Sequence, residues 1–308
     1  MRAIMYHYVR EYNPSLPEFK FLDLADFNKQ LNWFEDNFGF VTKNEFEHFI
    51  LTNELPQTPG KVILTFDDGF SDHFDHVYPE LIKRGLWGLF YVPMGPYITN
   101  KILDVHRIQI LCGKIPSTQL LQQTLSLVSE DMMDDSQIQK FRNERYNHQV
   151  NTEEIKQIKL ILNYFIQSHF KETIIDTLCN QFDIDDRAEN HYISKEQITI
   201  MNNNKMMFGG HTVNHKVMSI LDRTSQEYEI TESFSLLESF IQQELKTYCH
   251  PYGRPSSYNY DTLNILQNQG VDFSFNIESR QIDYNDMIDN AQLLPRYDCN
   301  EFPHGHSR

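Results

Sequence analysis

Short apolar runs alternate with helical patterns along the first part of the chain, and this alternation limits the possible folds more than any other feature. Residues 61–66 and 86–92 have the composition of buried strands, and between them residues 78–84 form a helical pattern that Gly85 ends. A chain in which strands alternate with helices is expected to form a parallel sheet or barrel. The length of 308 residues is enough for a single α/β barrel with a large core.

Two segments that follow apolar runs carry side chains suited to a metal ion. Asp67 and Asp68 follow residues 62–66, and His211 and His215 lie just after residues 206–208. Carboxylate and imidazole ligands suit a divalent cation such as zinc, and three protein ligands leave one position open for water or substrate. A second carboxylate can then take a proton from the bound water. Because sites in parallel α/β folds form at the carboxyl ends of the strands, the placement predicts a catalytic metal site.

Each half of this pattern also has a plain structural interpretation. An Asp-Asp-Gly segment at a strand end is often only a turn. Two histidines four residues apart are often unrelated surface residues. The placement of both segments after strands favours the metal site over these alternatives.

Several segments, taken together, resemble the motifs of one known family. They are Thr65-Phe66-Asp67-Asp68-Gly69, His211-Thr212-Val213-Asn214-His215 and Tyr248-Cys249-His250-Pro251-Tyr252-Gly253. In order and spacing they are similar to the first three motifs of the polysaccharide deacetylase family, also called the NodB homology or carbohydrate esterase 4 family. The segments at residues 4–9 and 294–296 resemble those of the subgroup that acts on bacterial surface polysaccharides or their precursors. The resemblance covers most of the chain apart from residues 100–200.

The resemblance implies a fold, a reaction and a set of roles. The fold would be a distorted (β/α) barrel of about seven strands, and the reaction would be metal-dependent removal of an N-acetyl group from an amino sugar. By resemblance, Asp67 is the catalytic base, and the backbone N–H of Tyr252 helps to bind the oxyanion. Asp68, His211 and His215 would hold the metal. Zinc is the preferred cation, although cobalt, nickel, manganese and iron also suit these ligands.

The chain departs from the family at two positions. Cys249 stands where the third motif commonly has the arginine that orients the base. We expect Arg296 to replace it, because a guanidinium lowers the pKa of a nearby carboxyl group and keeps the base charged; the alternative is an ordinary surface arginine. The Leu-x-His segment that carries the general acid in many relatives is absent from the sequence, which leaves His7, His304 and His306 as candidates.

Substrate binding is assigned to His7, Pro251 and Tyr248. The aromatic rings near the motifs either stack on a sugar or fill the core; they are Phe70, Tyr91, Tyr248 and Tyr252. The expected substrate is an amino sugar of a polysaccharide, or of its nucleotide-linked or lipid-linked precursor. Neither the sugar nor the acyl group follows from the sequence.

Composition excludes some partners and indicates a compartment. The formal net charge of −16 argues against binding to nucleic acid or anionic lipid, which requires clustered Lys and Arg. No apolar run is long enough to span a membrane, and no secretory signal is evident. The four cysteines have no paired spacing. We therefore expect a cytoplasmic protein, which could form a homo-oligomer.

The middle of the chain, at about residues 102–197, has little strand signal and is predicted to be a helical insertion in a single domain, residues 1–308. Residues 152–155 open a long helical pattern there, and after the insertion Thr224 to Glu227 has the form of a capping box. The insertion would line the cleft or mediate dimer contacts, and plain packing is the alternative.

Two other functions remain open at this point. Two histidines and a carboxylate also form the facial triad of non-haem iron oxygenases, but their common all-β folds do not fit the alternating pattern. A dependence of activity on oxygen would identify that class. The other possibility is a catalytically impaired relative that binds a glycan or acts as a scaffold in its assembly. It would explain the two departures, whereas the intact aspartates and histidines favour catalysis.

Overall fold

The computed structural model describes residues 1–141 and 151–307, which form two compact units. The first contains Met1–Arg10, Phe21–Asn100 and Ala188–His306, and the second contains Glu11–Lys20 and Lys101–Arg187. Each has its own apolar core. The interpretation of the chain as a single domain stays a prediction.

The strands of the first unit are β1 (Arg2–Tyr6), β2 (Val9–Arg10), β3 (Leu22–Asp23), β4 (Val62–Asp67), β5 (Leu89–Val92), β6 (Met207–Gly210), β7 (Thr247–Cys249), β8 (Phe273–Phe275) and β9 (Tyr297–Asp298). Seven of them form a parallel sheet in the order β8-β7-β6-β5-β4-β1-β9. Strands β2 and β3 form a separate parallel pair. The sheet curls into a half barrel surrounded by helices, which confirms the predicted distorted barrel of about seven strands.

The helices follow the strands along the chain. They are α1 (Leu24–Asn37), α2 (Lys43–Thr52), α3 (Tyr78–Arg84), α4 (Gly95–Thr99), α5 (Asp104–Lys114), α6 (Ser117–Leu127), α7 (Asp135–Phe141), α8 (Glu153–Leu160), α9 (Ser168–Gln181), α10 (Lys195–Asn203), α11 (Arg223–Phe240), α12 (Tyr260–Asn268) and α13 (Tyr284–Asn290). Helices α5 to α9 belong to the second unit, where the sequence predicts an insertion of helices. Residues 142–150 of the predicted insertion lie outside the described residues.

The segment before β9 bridges the two ends of the curled sheet. The N–H of Leu294 donates to the carbonyl of Ser274 in β8 at 2.8 Å. Three residues later, Tyr297 pairs with Ile4 of β1. Arg296 therefore lies in a short stretch that is fixed on both sides, and its side chain is 1% exposed.

Local sequence explains most element boundaries. All six residues of β4 are buried, as expected for a central parallel strand. Helix α3 ends at Gly85, which has a φ of 67°. The predicted start of α11 at Thr224 is wrong, because the side chain of Asp222 caps the helix by accepting from the N–H of Ser225.

The second unit contains a smaller apolar core made by α5, α6, α8 and α9. Thr152 caps α8 as predicted, and the helical pattern continues as a π-helix at Ile161–Phe165. None of the described helices combines the length and the apolar character needed to cross a bilayer.

Candidate active site

Asp67 and Asp68 lie at the carboxyl end of β4, where the chain turns sharply. Asp68 has a φ of 79° and Gly69 a φ of 63°. A Cβ atom at Gly69 would lie 2.8 Å from a methyl carbon of Val92, so both the backbone angle and the packing require glycine. The turn directs the two carboxylates to different partners.

Asp67 is paired with Arg296 inside the first unit. Nη1 and Nη2 of Arg296 each donate to one carboxylate oxygen of Asp67 at 2.8 Å. Nη1 also donates to Oγ1 of Thr65 at 3.0 Å, and Nε donates to the carbonyl of Asn276 at 3.1 Å. The guanidinium lies beside the rings of Tyr91 and Phe275, with its carbon 5.9 and 5.5 Å from their centroids. These contacts fix both members of the pair.

Arg296 also determines the charge of Asp67. Burial by itself would raise the pKa of Asp67, but the charge and hydrogen bonds of Arg296 outweigh it and the pKa is lowered. Burial raises the pKa of the adjacent Cys249 thiol, which therefore stays neutral. The thiol donates to Oδ2 of Asp67 at 3.5 Å, and its sulfur accepts from Nη2 of Arg296 at 2.9 Å. A charged base is thus held beside a neutral thiol.

Asp68 faces the two histidines that follow β6. Its Oδ1 lies 3.4 Å from Nε2 of His211 and 3.3 Å from Nε2 of His215, and all three side chains are buried. Nδ1 of His211 lies 2.8 Å from the carbonyl oxygen of Cys249, which can only accept, so Nδ1 must carry a proton. The lone pair of Nε2 is then available on the side of Asp68.

These three side chains fit a metal ion. Two ligands bound at 2.0–2.1 Å with a tetrahedral angle between them lie about 3.3–3.4 Å apart, which matches both distances from Asp68. Burial would lower the pKa of His211, but the carboxylates of Asp68 and Asp67 raise it above its ordinary value. A bound cation would take the place of the proton that this ring otherwise attracts.

Four of the nine non-glycine residues with a positive φ in the described part of the chain lie around the same side chains. Positive φ angles occur at Asp68 (79°), Thr212 (63°), His215 (52°) and Tyr252 (62°). Such angles are uncommon outside glycine and persist where the surroundings hold them in place. The ring of Tyr252 lies 5.1 Å from that of His215, so the third motif reaches the same site.

The remaining predicted residues have different surroundings. His7 is 42% exposed in its side chain, and its Nε2 lies 4.0 Å from Oδ2 of Asp68. Tyr248 is fully buried beside Phe234 and His250, so its ring offers no face to a sugar, and Pro251 is buried as well. Of the three predicted substrate-binding residues, only His7 has an accessible side chain near the site.

His304 and His306 are exposed, in a segment whose preceding carbonyls accept from the side chain of Gln30. Among the three histidines considered as the general acid, His7 is the one that the described contacts bring to Asp68.

Part of the chain is similar to known polysaccharide deacetylases. Residues 164–274 match the family model described as polysaccharide deacetylase. YxkH, a protein of Bacillus subtilis (strain 168) whose name refers to polysaccharide deacetylases, is 31% identical to this chain over 77 residues. Over residues 164–274 the chain is therefore similar to the polysaccharide deacetylase family. The aligned part covers 25% of this chain and 27% of YxkH, about a quarter of that relative's length.

Several solved structures share the fold of this chain. The deacetylase PplD of Streptococcus pyogenes, in complex with acetate, has a TM-score of 0.58 and 17% identity, over 97% of this chain and 91% of PplD. IcaB from Ammonifex degensii has a TM-score of 0.52 and 17% identity, over 96% and 90%. A de-N-acetylase from Aggregatibacter actinomycetemcomitans has a TM-score of 0.52 and 12% identity, over 96% and 93%.

Two residues of the site do not follow from the sequence. In the sequence, Cys249 stands out only because it occupies the position of the family's arginine. In the structure its thiol contacts both Asp67 and Arg296. Glu229 of α11 accepts hydrogen bonds from the loop between the two histidines. The available signal was a glutamate that borders the apolar stripe of Ile230, Phe234 and Leu237 on α11, because a charge next to a buried face needs a partner.

Proposed function

We propose that the chain is a metal-dependent hydrolase that removes the N-acetyl group from an amino sugar of a glycan or of its nucleotide-linked or lipid-linked precursor. The observation that carries the proposal is that two adjacent carboxylates, those of Asp67 and Asp68, have different partners. Asp67 is held ionised by Arg296, while Asp68 faces His211 and His215. One carboxylate is thus arranged as a base and the other as a ligand.

Asp68, His211 and His215 would hold the cation. Zinc is the preferred ion for one carboxylate and two imidazoles, and cobalt, nickel, manganese or iron are the alternatives. When bound, the cation polarises the amide carbonyl and lowers the pKa of a water molecule. The metal identity is part of the proposal.

The protein residues divide the remaining work. Asp67 takes a proton from the attacking water as its oxygen bonds to the carbonyl carbon. The backbone N–H of Tyr252 donates to the oxyanion that forms. The proton taken by Asp67 then passes to the nitrogen as the carbon–nitrogen bond breaks, which leaves a free amine on the sugar and releases acetate. His7 is proposed to contact the substrate at the accessible side of Asp68, since its side chain is 42% exposed there.

The decisive experiment measures acetate release from a panel of N-acetylated amino sugars, both polymeric and nucleotide-linked. Protein stripped of metal is assayed before and after the addition of zinc or cobalt. The Asp67→Asn variant keeps the shape of the side chain but cannot act as the base, and we expect a loss of about 10²–10⁴-fold in rate with metal still bound. The matched control is Asp75→Asn, which makes the same change at an exposed aspartate eight residues later in the chain.

Metal-dependent release that Asp67→Asn abolishes and Asp75→Asn preserves would support the proposal. Turnover that survives in Asp67→Asn would rule out the proposed base. If metal binds and no substrate in the panel releases acetate, the glycan-binding alternative becomes the better explanation, and binding to the same panel would test it.

The other expectations from the sequence stay predictions: a cytoplasmic location, a glycan as the partner in place of nucleic acid, and homo-oligomer formation.

A further inference from the structure

The loop that carries the two histidines is attached to helix α11 through Glu229. Oε2 of Glu229 accepts from the backbone N–H of Val213 at 2.9 Å and from that of Asn214 at 2.7 Å. Oε1 accepts from Nδ2 of Asn214 at 2.7 Å. Glu229 is 3% exposed, so its carboxylate is committed to these three donors rather than to solvent.

The loop is held on its opposite edge as well. The N–H of Met94 donates to the carbonyl of Thr212 at 3.0 Å, and the N–H of Gly95 donates to the carbonyl of Val213 at 2.7 Å. Within the loop, Oγ1 of Thr212 accepts from the N–H of His215 at 2.8 Å. The N–H groups of the loop thus donate to Glu229 on α11, and its carbonyl groups accept from the backbone at the start of α4. Glu229 is the one side chain outside the loop in this set of hydrogen bonds.

Helix α11 is well placed to act as the support. A Cβ atom at Gly210 would lie 3.2 Å from atoms of Phe234 and Ser233, so the helix packs directly on the last residue of β6. Glu229 lies one turn before these residues on α11. Its carboxylate therefore contacts the chain just after the strand, between His211 and His215.

We propose that Glu229 is a positioning residue that fixes His211 and His215 relative to Asp68. The inference rests on the proposed metal site and adds a residue that neither motif contains. Thr212 and His215 have positive φ angles, a conformation that persists only under constraint from the surroundings. Loss of the carboxylate would leave the buried N–H of Val213 and the partly buried N–H of Asn214 without an acceptor. The loop would then relax and move the two imidazoles away from the point where they face Asp68.

Cation affinity tests the proposal. Dissociation constants for Zn²⁺ and Co²⁺ are measured by competition with a chelator in the wild-type protein and in Glu229→Ala, Glu229→Gln and Glu227→Ala. Glu227 is the matched control because it is an exposed glutamate on the same helix. We expect Glu229→Ala to weaken binding by about 10–100-fold and Glu227→Ala to leave it unchanged.

Glu229→Gln should recover part of the affinity. Its amide oxygen can accept from the two backbone N–H groups, and the side chain of Asn214 can turn to accept from its NH₂ group. If Glu229→Ala does not fold, Asn214→Ala provides a milder variant, because it removes the contact to Oε1 and keeps both backbone hydrogen bonds. It should weaken cation binding by less than Glu229→Ala but measurably.

A purely structural role would lower the thermal midpoint of the metal-free variants without changing cation affinity, and that result would overturn the inference. Unchanged affinity in both Glu229→Gln and Asn214→Ala would also overturn it. The proposed function can fail separately: cation binding that depends on Glu229 without any acetate release would remove the catalytic proposal and keep the positioning role. A wild-type protein that binds no divalent cation would remove both.

Discussion

At the scale of single residues, the charge of Asp67 depends on one distant side chain. Arg296 supplies two hydrogen bonds to its carboxylate, and aromatic rings and Thr65 hold the guanidinium in place. A small residue at position 249 leaves the space that this guanidinium uses, since Nη2 lies 2.9 Å from the cysteine sulfur. An arginine at both positions would place two like charges in contact.

Replacement of Arg296 tests this dependence. In Arg296→Met the guanidinium no longer opposes the effect of burial on Asp67, so the pKa of Asp67 rises and the acidic limb of the pH–rate profile moves to higher pH. The uncompensated carboxylate should also cost about 3–5 kcal/mol in the free energy of unfolding. Arg296→Lys keeps the charge and should shift the limb by less.

The matched control is Arg280→Met, which removes a partly exposed arginine paired with Asp286. Its pH–rate profile should coincide with that of the wild type. An acidic limb at the wild-type position in Arg296→Met would contradict the assignment of Arg296 as the partner of the base.

At the scale of elements, the site depends on how closely neighbouring strands and helices approach. Gly209 of β6 faces Tyr91 of β5, and a Cβ atom there would lie 2.4 Å from a ring carbon of Tyr91. The ring of Tyr91 in turn packs on Arg296. The glycine therefore sets the position of a ring that supports the partner of Asp67.

Alanine substitutions in β6 should differ at adjacent positions. Gly209→Ala is expected to destabilise the fold by about 1–3 kcal/mol through overpacking and to lower activity by moving Tyr91. Gly210→Ala should have a smaller effect, because the nearest atoms to its Cβ lie at 3.2 Å and can shift. Chemical unfolding of both variants measures the difference, and equal losses of stability would argue against this role of Gly209.

A cation would link two separate elements, the end of β4 and the loop after β6. We expect zinc at about 100 times its dissociation constant to add about 2.7 kcal/mol to the stability of the folded state. His215→Ala should lose most of this gain, whereas His48→Ala, at an exposed position, should keep it. Thermal midpoints with and without chelator give the comparison, and an equal shift in His215→Ala would place the cation elsewhere.

The sequence predicted the elements better than the contacts between them. The strand ends that carry Asp67 and His211 follow from apolar runs and their terminating residues, and family resemblance added the roles. The hydrogen bonds of Glu229 could not be predicted from the sequence. Two of them are to backbone N–H groups, which almost every residue has, so no residue type in the loop marks the contact. The predicted start of α11 was wrong because Asp222 and Thr224 both suit a helix N-cap, and the sequence does not show which of them caps the helix.

At the scale of the whole molecule, buried histidines couple folding to acid. Burial is the largest cause that lowers the pKa of His73 and of His250 from 6.5 to about 4. Both rings are buried, and their Nε2 atoms bond to the carbonyls of His7 and Gln292. The unfolded chain binds protons at these rings near pH 6.5, while the folded chain does so only near pH 4.

The sign of the pH effect follows from this difference. Stabilisation by the two neutral rings is fully present above pH 6.5 and is lost as the pH falls toward 4. Each ring contributes up to about 3 kcal/mol at neutral pH. Thermal midpoints between these pH values should fall steeply in the wild type and less steeply in His73→Gln and His250→Gln. His48→Gln should keep the wild-type slope, and identical slopes in all four proteins would refute the coupling.

The bridge between the two ends of the sheet has a consequence for synthesis of the chain. Arg296 and Asp67 are 229 residues apart. Translation at 5–20 residues per second separates their appearance by about 10–50 s, and His215 emerges well before Arg296. The growing chain therefore contains all three proposed cation ligands before it contains the arginine that keeps Asp67 ionised. Catalytic activity would be among the last properties that the polypeptide acquires during synthesis.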